Sequence, residues 1–271
     1  MDRQVYARMA ELENGHWWFV ARRRILSETL KRYVALPAGS RILEAGCGTG
    51  GNLAMLSRFG NVASFEPDAE ARDLAHRHGP YDIRAGALPD AVPFDPESFD
   101  LVVALDVLEH VPDDAGSLSA LGDCLRPGGW ALLTVPAFPF LWSRHDVSHH
   151  HHRRYVKSKL SELARAAGLR PVRTSYFNSL LFPAIAAVRI IKAVVGLSDR
   201  EDDAMPPQGL NRLLTALFAS ERHLIGRVPL PAGVSLLMLA QKPETEKPEP
   251  RKPETRKLDT RKLDTRKPEA R

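Results

Sequence analysis

The chain has 271 residues, 44% of them hydrophobic, which is enough to bury the core of one large α/β domain. Its two cysteines exclude a disulfide framework and favour a reducing, cytoplasmic location, and its polar start predicts no signal peptide. Residues 242–271 hold 11 basic and 7 acidic side chains, so they carry +4 of the total charge of +5. The remaining +1 on residues 1–241 argues against a nucleic-acid partner.

The first predicted element is a helix around residues 16–26. Aromatic side chains crowd one end of this segment, including Trp17 and Trp18, and three arginines from Arg22 occupy the other. The spacing indicates a helix that covers the sheet and extends its arginines toward water.

Residues 42–51 form the most informative stretch, because an apolar run ends in Glu44 and then in a glycine-rich loop. Gly46, Gly48 and Gly50 lack a Cβ, so the chain can turn sharply and its N–H groups can approach a bound molecule. The glycine spacing also satisfies the dinucleotide pattern G-x-G-x-x-G. A carboxylate would repel a pyrophosphate but attract the ammonium and sulfonium groups of S-adenosylmethionine, so the loop favours that cofactor.

Three further apolar runs follow in order. Residues 62–66 end in an acid, residues 99–105 lead into Asp-Val-Leu-Glu-His at 106–110, and residues 130–135 follow a Leu-Arg-Pro-Gly-Gly turn. Continuous apolar runs of this length are typical of buried parallel strands.

With these motifs in this order, the chain resembles the class I S-adenosylmethionine-dependent methyltransferases, of methyltransferase type 11. Residues 44–50 match the first family motif, (D/E)-x-G-x-G-x-G, and residues 106–110 are similar to the branch of the ubiquinone-pathway O-methyltransferases. A likeness to uncharacterised bacterial members extends over about residues 5–241. The resemblance implies a Rossmann-like α/β fold, with a mostly parallel seven-stranded sheet and helices on both faces.

The resemblance also implies a cofactor site. Glu66, with Asp68 as the near alternative, matches the acid that binds the ribose in this family. Relatives commonly carry G-D-A after the third strand, whereas this chain has Gly86-Ala-Leu, which leaves Asp90 or backbone groups to hold the adenine. The residues predicted to bind S-adenosylmethionine are Glu44, Gly46, Cys47, Gly48, Gly50, Glu66, Pro67, Ala87, Leu88 and Asp106.

Class I relatives often fold an N-terminal helix over the ligands. Residues 1–36 are therefore predicted to form a helical lid, in which Trp18 and Arg23 contact the substrate. The competing interpretation is that the aromatic side chains only pack in the core.

The polar, proline-interrupted segment after the fifth strand is the predicted acceptor loop. The carboxyl ends of the strands form the ligand crevice in such sheets, so this loop should lie over the reacting methyl group. We expect it to bind the substrate through Trp142, Asp146, Arg154 and Tyr155.

His110, His145 and His149 are candidate general bases, because histidine can take a proton from a hydroxyl group near pH 7. For each of them the alternative is a histidine that is hydrogen-bonded within the loop, and methyl transfer can also proceed by positioning alone. The consecutive histidines at 149–152 do not converge as metal ligands must, so no metal site is predicted.

A helical insertion over residues 178–232 is predicted between the last two strands. Its apolar part is broken by Pro183, Arg189 and Lys192, so it does not suit a membrane span, but residues 178–197 suit peripheral contact with a membrane or a lipid-linked substrate. The alternative is a helical hairpin packed on the sheet. The charged repeats at 242–271 are predicted to be disordered.

The sequence thus predicts one methyltransferase domain over residues 1–241. It should transfer a methyl group to a small-molecule or lipid-linked acceptor, at oxygen. The alternatives are a cofactor-binding protein without turnover and a peripheral membrane interaction protein. A more remote one is an NAD(P)-dependent short-chain oxidoreductase, suggested by the Tyr155-x-x-x-Lys159 spacing with Ser143. Glu44 and the lack of a T-G-x-x-x-G-x-G loop argue against it. The oligomeric state is not predicted.

Overall fold

The computed structural model describes residues 3–195 and 204–244, which form one sheet flanked by helices. The strands are β1 (Arg41–Ala45), β2 (Asn61–Glu66), β3 (Asp82–Ala85), β4 (Phe99–Leu105), β5 (Leu125–Pro136), β6 (Arg170–Phe177) and β7 (Ser235–Gln241). The helices are α1 (Arg3–Leu12), α2 (Trp17–Tyr33), α3 (Leu53–Leu56), α4 (Ala69–His76), α5 (Asp114–Cys124), α6 (Arg144–Ser148), α7 (Lys157–Ala166), α8 (Phe182–Val195) and α9 (Gln208–Ser220).

The seven strands lie in the order β3-β2-β1-β4-β5-β7-β6. Strands β1 to β5 pair in parallel, whereas β7 runs antiparallel to both of its neighbours. The predicted Rossmann-like, mostly parallel sheet is confirmed. Because parallel strands end at one edge, the loops that follow β1, β2 and β4 meet there and form a crevice.

The core lies in two layers, one on each face of the sheet. Ile25 of α2 and Phe218 of α9 pack with Leu101 of β4 on one face, and Leu118 of α5 packs with Val102 of β4 on the other. Successive residues of a strand point to opposite faces, so the continuous apolar run of β4 serves both layers. Helices on both faces therefore hold the central strands in place and fix where their carboxyl ends lie.

The helical insertion before β7 is also confirmed. It contains α8 and α9, and residues 196–203 between them lie outside the described residues. Helix α9 packs against α2, whereas α8 exposes Val188, Ile190 and Ile191. Within the ranges that the structure describes, no helix is long and apolar enough to cross a membrane.

The charged tail begins as an extension of the sheet. The Lys242 amide donates to the Gly129 carbonyl at 2.9 Å, and Lys242 Nζ donates to the Leu125 carbonyl at 2.8 Å. Most of the predicted disordered segment, residues 245–271, lies outside the described residues.

Candidate active site

A cavity of about 370 Å³ lies at the carboxyl ends of β1, β2 and β4. Its walls come from α1, α2, the glycine loop and the segments that follow β2, β3 and β4. Its volume is within the range of small-molecule sites. Eight predicted cofactor residues line it: Gly46, Cys47, Gly48, Glu66, Pro67, Ala87, Leu88 and Asp106.

The glycine loop is fastened to the end of β2. Gly46 and Gly48 have φ angles of +63° and +54°, which residues with a side chain rarely adopt. The Gly46 amide donates to the Phe65 carbonyl at 2.9 Å, and the Gly48 amide donates to Oε2 of Glu66 at 3.0 Å. This loop therefore holds the Glu66 carboxylate at the wall of the cavity.

Gly50 has a packing role instead of the expected ligand contact. A Cβ at this position would lie 2.9 Å from the Cα of Ala75 in α4 and 3.0 Å from the His78 ring. The residue is therefore required for the close approach of α4 to the loop, and it is absent from the cavity wall.

Glu44 also lies away from the cavity surface, which corrects the expectation that it faces the cofactor directly. It is buried, and its Oε1 accepts a hydrogen bond of 2.9 Å from Asn52, which does line the cavity. Its Oε2 has no partner among the described residues. Burial raises the pKa of Glu44 to about 7, although the Asn52 hydrogen bond and the charge of Arg22 oppose the shift.

Glu66 is held by three donors. Besides Gly48, the Asp68 amide donates to its Oε1 at 3.1 Å, and the Tyr6 hydroxyl donates to the same oxygen at 3.4 Å. Asp68, the alternative ribose acid, accepts the Ala71 amide at 2.9 Å and caps α4 instead. The Glu66 carboxylate thus lies at the cavity wall with about one of its four acceptor positions unused.

Asp106 belongs to a polar triad that the sequence did not reveal. Its Oδ2 pairs with Nη2 of Arg22 at 2.7 Å, and its Oδ1 accepts the Thr134 hydroxyl at 3.1 Å. Arg22 also donates to Thr134 at 3.0 Å. Asp106 has a φ of +57°, a strained conformation that these bonds hold in place. The side chains of Arg22 and Asp106 both line the cavity.

A second group, also missed from the sequence, joins α1 to the glycine loop. Glu13 is buried and accepts the Thr49 hydroxyl at 2.6 Å, and it pairs with Nε2 of His78 at 3.0 Å. Arg23, predicted to contact the substrate, donates to the Glu13 carbonyl at 2.5 Å and lines the cavity, and burial lowers its pKa. No motif pattern could have found this group, because its members come from four separate segments.

His110 is the one candidate base that lines the cavity. Its ring lies edge-on to His151, with 4.6 Å between centroids, and its side chain hydrogen-bonds to the backbone of His149. Burial, with the nearby charges of His151 and His149, lowers its pKa to about 3. Its imidazole is therefore neutral at pH 7.

Glu109 lies beside His110 and is fully buried. Neither carboxylate oxygen has a hydrogen-bond partner among the described residues. Burial, with the charge of Asp106, raises its pKa well above the usual range. Glu109, His110 and His151 each place one ligand atom within 4.8 Å of the others, so this group could hold a metal ion.

The other two candidate bases lie in the loop after β5 and are absent from the cavity wall. The rings of His145 and His149 lie against each other with 3.9 Å between centroids, and burial lowers the pKa of His145 to about 3.

Asp146, expected to bind substrate, is fully buried and accepts hydrogen bonds from Nε and Nη2 of Arg154 at 2.8 and 3.0 Å. It also pairs with Nδ1 of His151 at 2.8 Å. The buried ion pair of Asp146 and Arg154 therefore joins two parts of the same loop.

The remaining predicted substrate residues also lie outside the cavity wall. Trp18 stacks on Phe218 with 5.2 Å between centroids, which supports the packing interpretation. Tyr155 is buried and donates to Asp114 at 2.9 Å, an arrangement unlike that of an oxidoreductase tyrosine that faces a cofactor. Trp142 is 42% exposed on the surface.

A family model described as "Methyltransferase domain" matches residues 18–174, more than half of the chain. The chain belongs to this methyltransferase family. S-adenosylmethionine is the cofactor of the enzyme, and the oxidoreductase alternative is not favoured. The cavity fits this group, because Glu66 presents a carboxylate next to the glycine loop and the cationic side chains of Arg22 and Arg23 line the same space.

Comparisons with individual proteins agree with the family. The methyltransferase is 32% identical over 152 residues to a ubiquinone biosynthesis O-methyltransferase of Chromobacterium violaceum. The match covers 49% of this chain and only 65% of that relative. The fold is similar to the putative methyltransferase in a Haloferax volcanii complex with the Trm112 activator, with a TM-score of 0.59, 19% identity and coverage of 90% and 96%. It is also similar to a Haemonchus contortus phosphoethanolamine N-methyltransferase solved with S-adenosylmethionine, with a TM-score of 0.53, 20% identity and coverage of 79% and 51%.

Proposed function

We propose that the enzyme transfers a methyl group to an oxygen atom of a small-molecule or lipid-linked acceptor. The observation that carries this proposal is the position of His110, a neutral imidazole at the wall of the cofactor cavity. The O-methyltransferase relative supports the same acceptor atom.

The residues that line the cavity suit distinct parts of the cofactor. Glu66 would accept the ribose hydroxyls, and Ala87 and Leu88 would contact the adenine. Arg22 and Arg23 would attract the carboxylate of the methionine part. When it is bound, S-adenosylmethionine supplies an activated methyl group on a sulfonium.

His110 would position the acceptor. One of its ring nitrogens hydrogen-bonds the backbone of His149, which leaves the other to accept a hydrogen bond from a hydroxyl group. A weakly basic imidazole orients that oxygen and holds its proton during methylation, and burial of the site keeps water away. Most of the rate would come from positioning.

Isotope labelling tests the proposal. The enzyme is incubated with metabolite and lipid extracts and with S-adenosylmethionine that carries a trideuterated methyl group. We expect a labelled O-methyl product, formed about 10²-fold more slowly by His110→Ala than by the wild type. The exposed His76 at the end of α4 offers a matched control, His76→Ala, with unchanged rate. A label on nitrogen or carbon would contradict the proposal.

Peripheral membrane contact is a second proposal, supported by the exposed face of α8. Arg189 donates to the Leu141 carbonyl at 2.9 Å, which holds α8 against the segment that carries the exposed Phe140. Val188, Ile190 and Ile191 are exposed on the same helix. Such a surface would bring the enzyme to a lipid-linked acceptor.

Vesicle sedimentation tests this contact. Ile190→Ser with Ile191→Ser should reduce binding to vesicles, whereas Val172→Ser, an equally polar change at an exposed site on β6, should not. Equal binding of both variants would contradict the proposal.

A further inference from the structure

A second cavity, of about 530 Å³, lies between α2 and α3 behind the glycine loop. Four arginines line it: Arg23, Arg24, Arg58 and Arg222. Glu28 is the one acid among the described residues of its wall, and it pairs with Arg32 at 2.5 Å. We name this cavity the arginine groove.

The charge of two of these arginines is not neutralised among the described residues, whereas the Glu13 carboxylate attracts Arg23. Arg24 and Arg58 are exposed and form no ion pair or side-chain hydrogen bond with other described residues. Arg23 and Arg222 donate only to backbone carbonyls, of Glu13 and Ala219. Like charges around one space repel each other, so an anion in the groove lowers the electrostatic energy.

The rest of the molecule does not share this positive charge. Residues 1–241 carry about +1, the total of +5 less the +4 of residues 242–271. The four arginines and Glu28 of the groove account for +3, so the rest of residues 1–241 sums to about −2, unlike the basic surface that nucleic-acid binding requires. The volume of the groove is within the range of small-molecule sites.

Guanidinium groups match phosphate oxygens with paired N–H donors. We propose that the arginine groove binds the phosphate or diphosphate group of a small molecule at a site separate from the cofactor cavity. Arg23 and Gly51 line both cavities, so the two sites adjoin each other, and Arg24 and Arg58 line the groove alone.

Calorimetry with inorganic pyrophosphate at low salt tests the proposal on the full chain. Arg24→Gln with Arg58→Gln should weaken pyrophosphate binding at least about tenfold, or about 1.4 kcal/mol. Neither arginine lines the cofactor cavity, so the affinity of this variant for S-adenosylmethionine should stay within about twofold. Arg165→Gln with Lys157→Gln removes the same charge from exposed positions on α7, at the other face of the sheet, and should leave both affinities unchanged.

Vesicles that contain phosphatidic acid, compared with phosphatidylcholine alone, show whether a lipid headgroup is an alternative source of the phosphate. Loss of binding in the groove variant alone, with either probe, supports the site. Equal losses in the groove and control variants would overturn it. Competition between pyrophosphate and S-adenosylmethionine would also overturn it, because the anion would then occupy the cofactor cavity.

Discussion

The two sides of the crevice treat their buried acids differently. On the cofactor side, Glu44 has an oxygen without a partner, and Glu109 has two, among the described residues. On the side of the loop after β5, Asp146 binds both Arg154 and His151, and burial, which would raise its pKa, is outweighed by these bonds, so that its pKa lies below its usual range. Glu44 and Glu109 lie next to two residues of the cavity wall, Asn52 and His110, and keep oxygens without a partner among the described residues, whereas Asp146 uses both of its oxygens within the loop.

This contrast separates two kinds of polar cluster that look alike in a sequence. Both regions contain acids and histidines, but only on the cofactor side do such side chains, among them Glu66, Asp106 and His110, line the cavity. Removing an acid from the loop should therefore lower the stability of the fold. Removing an acid on the cofactor side should change ligand affinity or the pH dependence of stability.

The largest effect is expected for Asp146→Ala. The change leaves the buried Arg154 guanidinium without its carboxylate, so the free energy of unfolding should fall by about 3–5 kcal/mol. Urea unfolding measures the loss. Glu162→Gln, which breaks the exposed pair with Lys159, should cost less than about 0.5 kcal/mol. Equal losses in the two variants would show that the loop does not depend on its buried pair.

The pH dependence of stability should show that Glu44 has a raised pKa. Its folded pKa of about 7 lies above the value of 4.5 for an exposed glutamate, so its contribution is complete below about pH 4.5 and is lost as the pH rises through 7. Glu44→Gln should reduce the fall in unfolding free energy between about pH 5 and 8 by on the order of 3 kcal/mol.

Glu66 and Glu109 shift in the same direction, but they are unchanged in this variant, so the difference between the two pH profiles reports Glu44 alone. Chemical unfolding at a series of pH values measures the profiles. Parallel profiles would mean that Glu44 titrates as an exposed acid.

Glu66→Gln should weaken S-adenosylmethionine binding by about tenfold, or about 1.4 kcal/mol, because an amide accepts fewer hydrogen bonds than a carboxylate. Calorimetry measures the affinity, and Asp73→Asn on the exposed side of α4 is the control. Unchanged affinity would remove Glu66 from the ribose site.

The smallest effect is expected for Trp142→Ser. The side chain is 42% exposed and outside the cavity wall, so stability should change by less than about 0.5 kcal/mol and cofactor affinity should not change. Thermal unfolding and calorimetry check both. A fall in turnover alone would indicate that Trp142 contacts the acceptor, as the sequence predicts.

The sheet and the cofactor loop were predictable because their signals are local. The glycine positions and the apolar run of β4 reflect backbone turns and burial that nearby residues decide. The polar triad of Arg22, Asp106 and Thr134 was not predictable, since its members are up to 112 residues apart.

The substrate contacts predicted for the loop after β5 have a physical counterargument. Asp146, Arg154 and Tyr155 are polar, which suggested contact with substrate, but each is satisfied by a partner inside the protein. A sequence shows which polar groups exist, but not whether folding has already paired them.

Tyr6 of α1 donates a hydrogen bond to Glu66, so the first helix contacts the predicted ribose acid. A carboxylate has about four lone-pair positions, and three of those on Glu66 are taken by the Tyr6 hydroxyl and the amides of Gly48 and Asp68. A ligand that needs two of these positions must displace Tyr6, because the two amides belong to the fixed backbone at the end of the sheet. Entry of such a ligand therefore exchanges the Tyr6 hydrogen bond for one to the ligand, so the strength of that bond sets part of the binding energy.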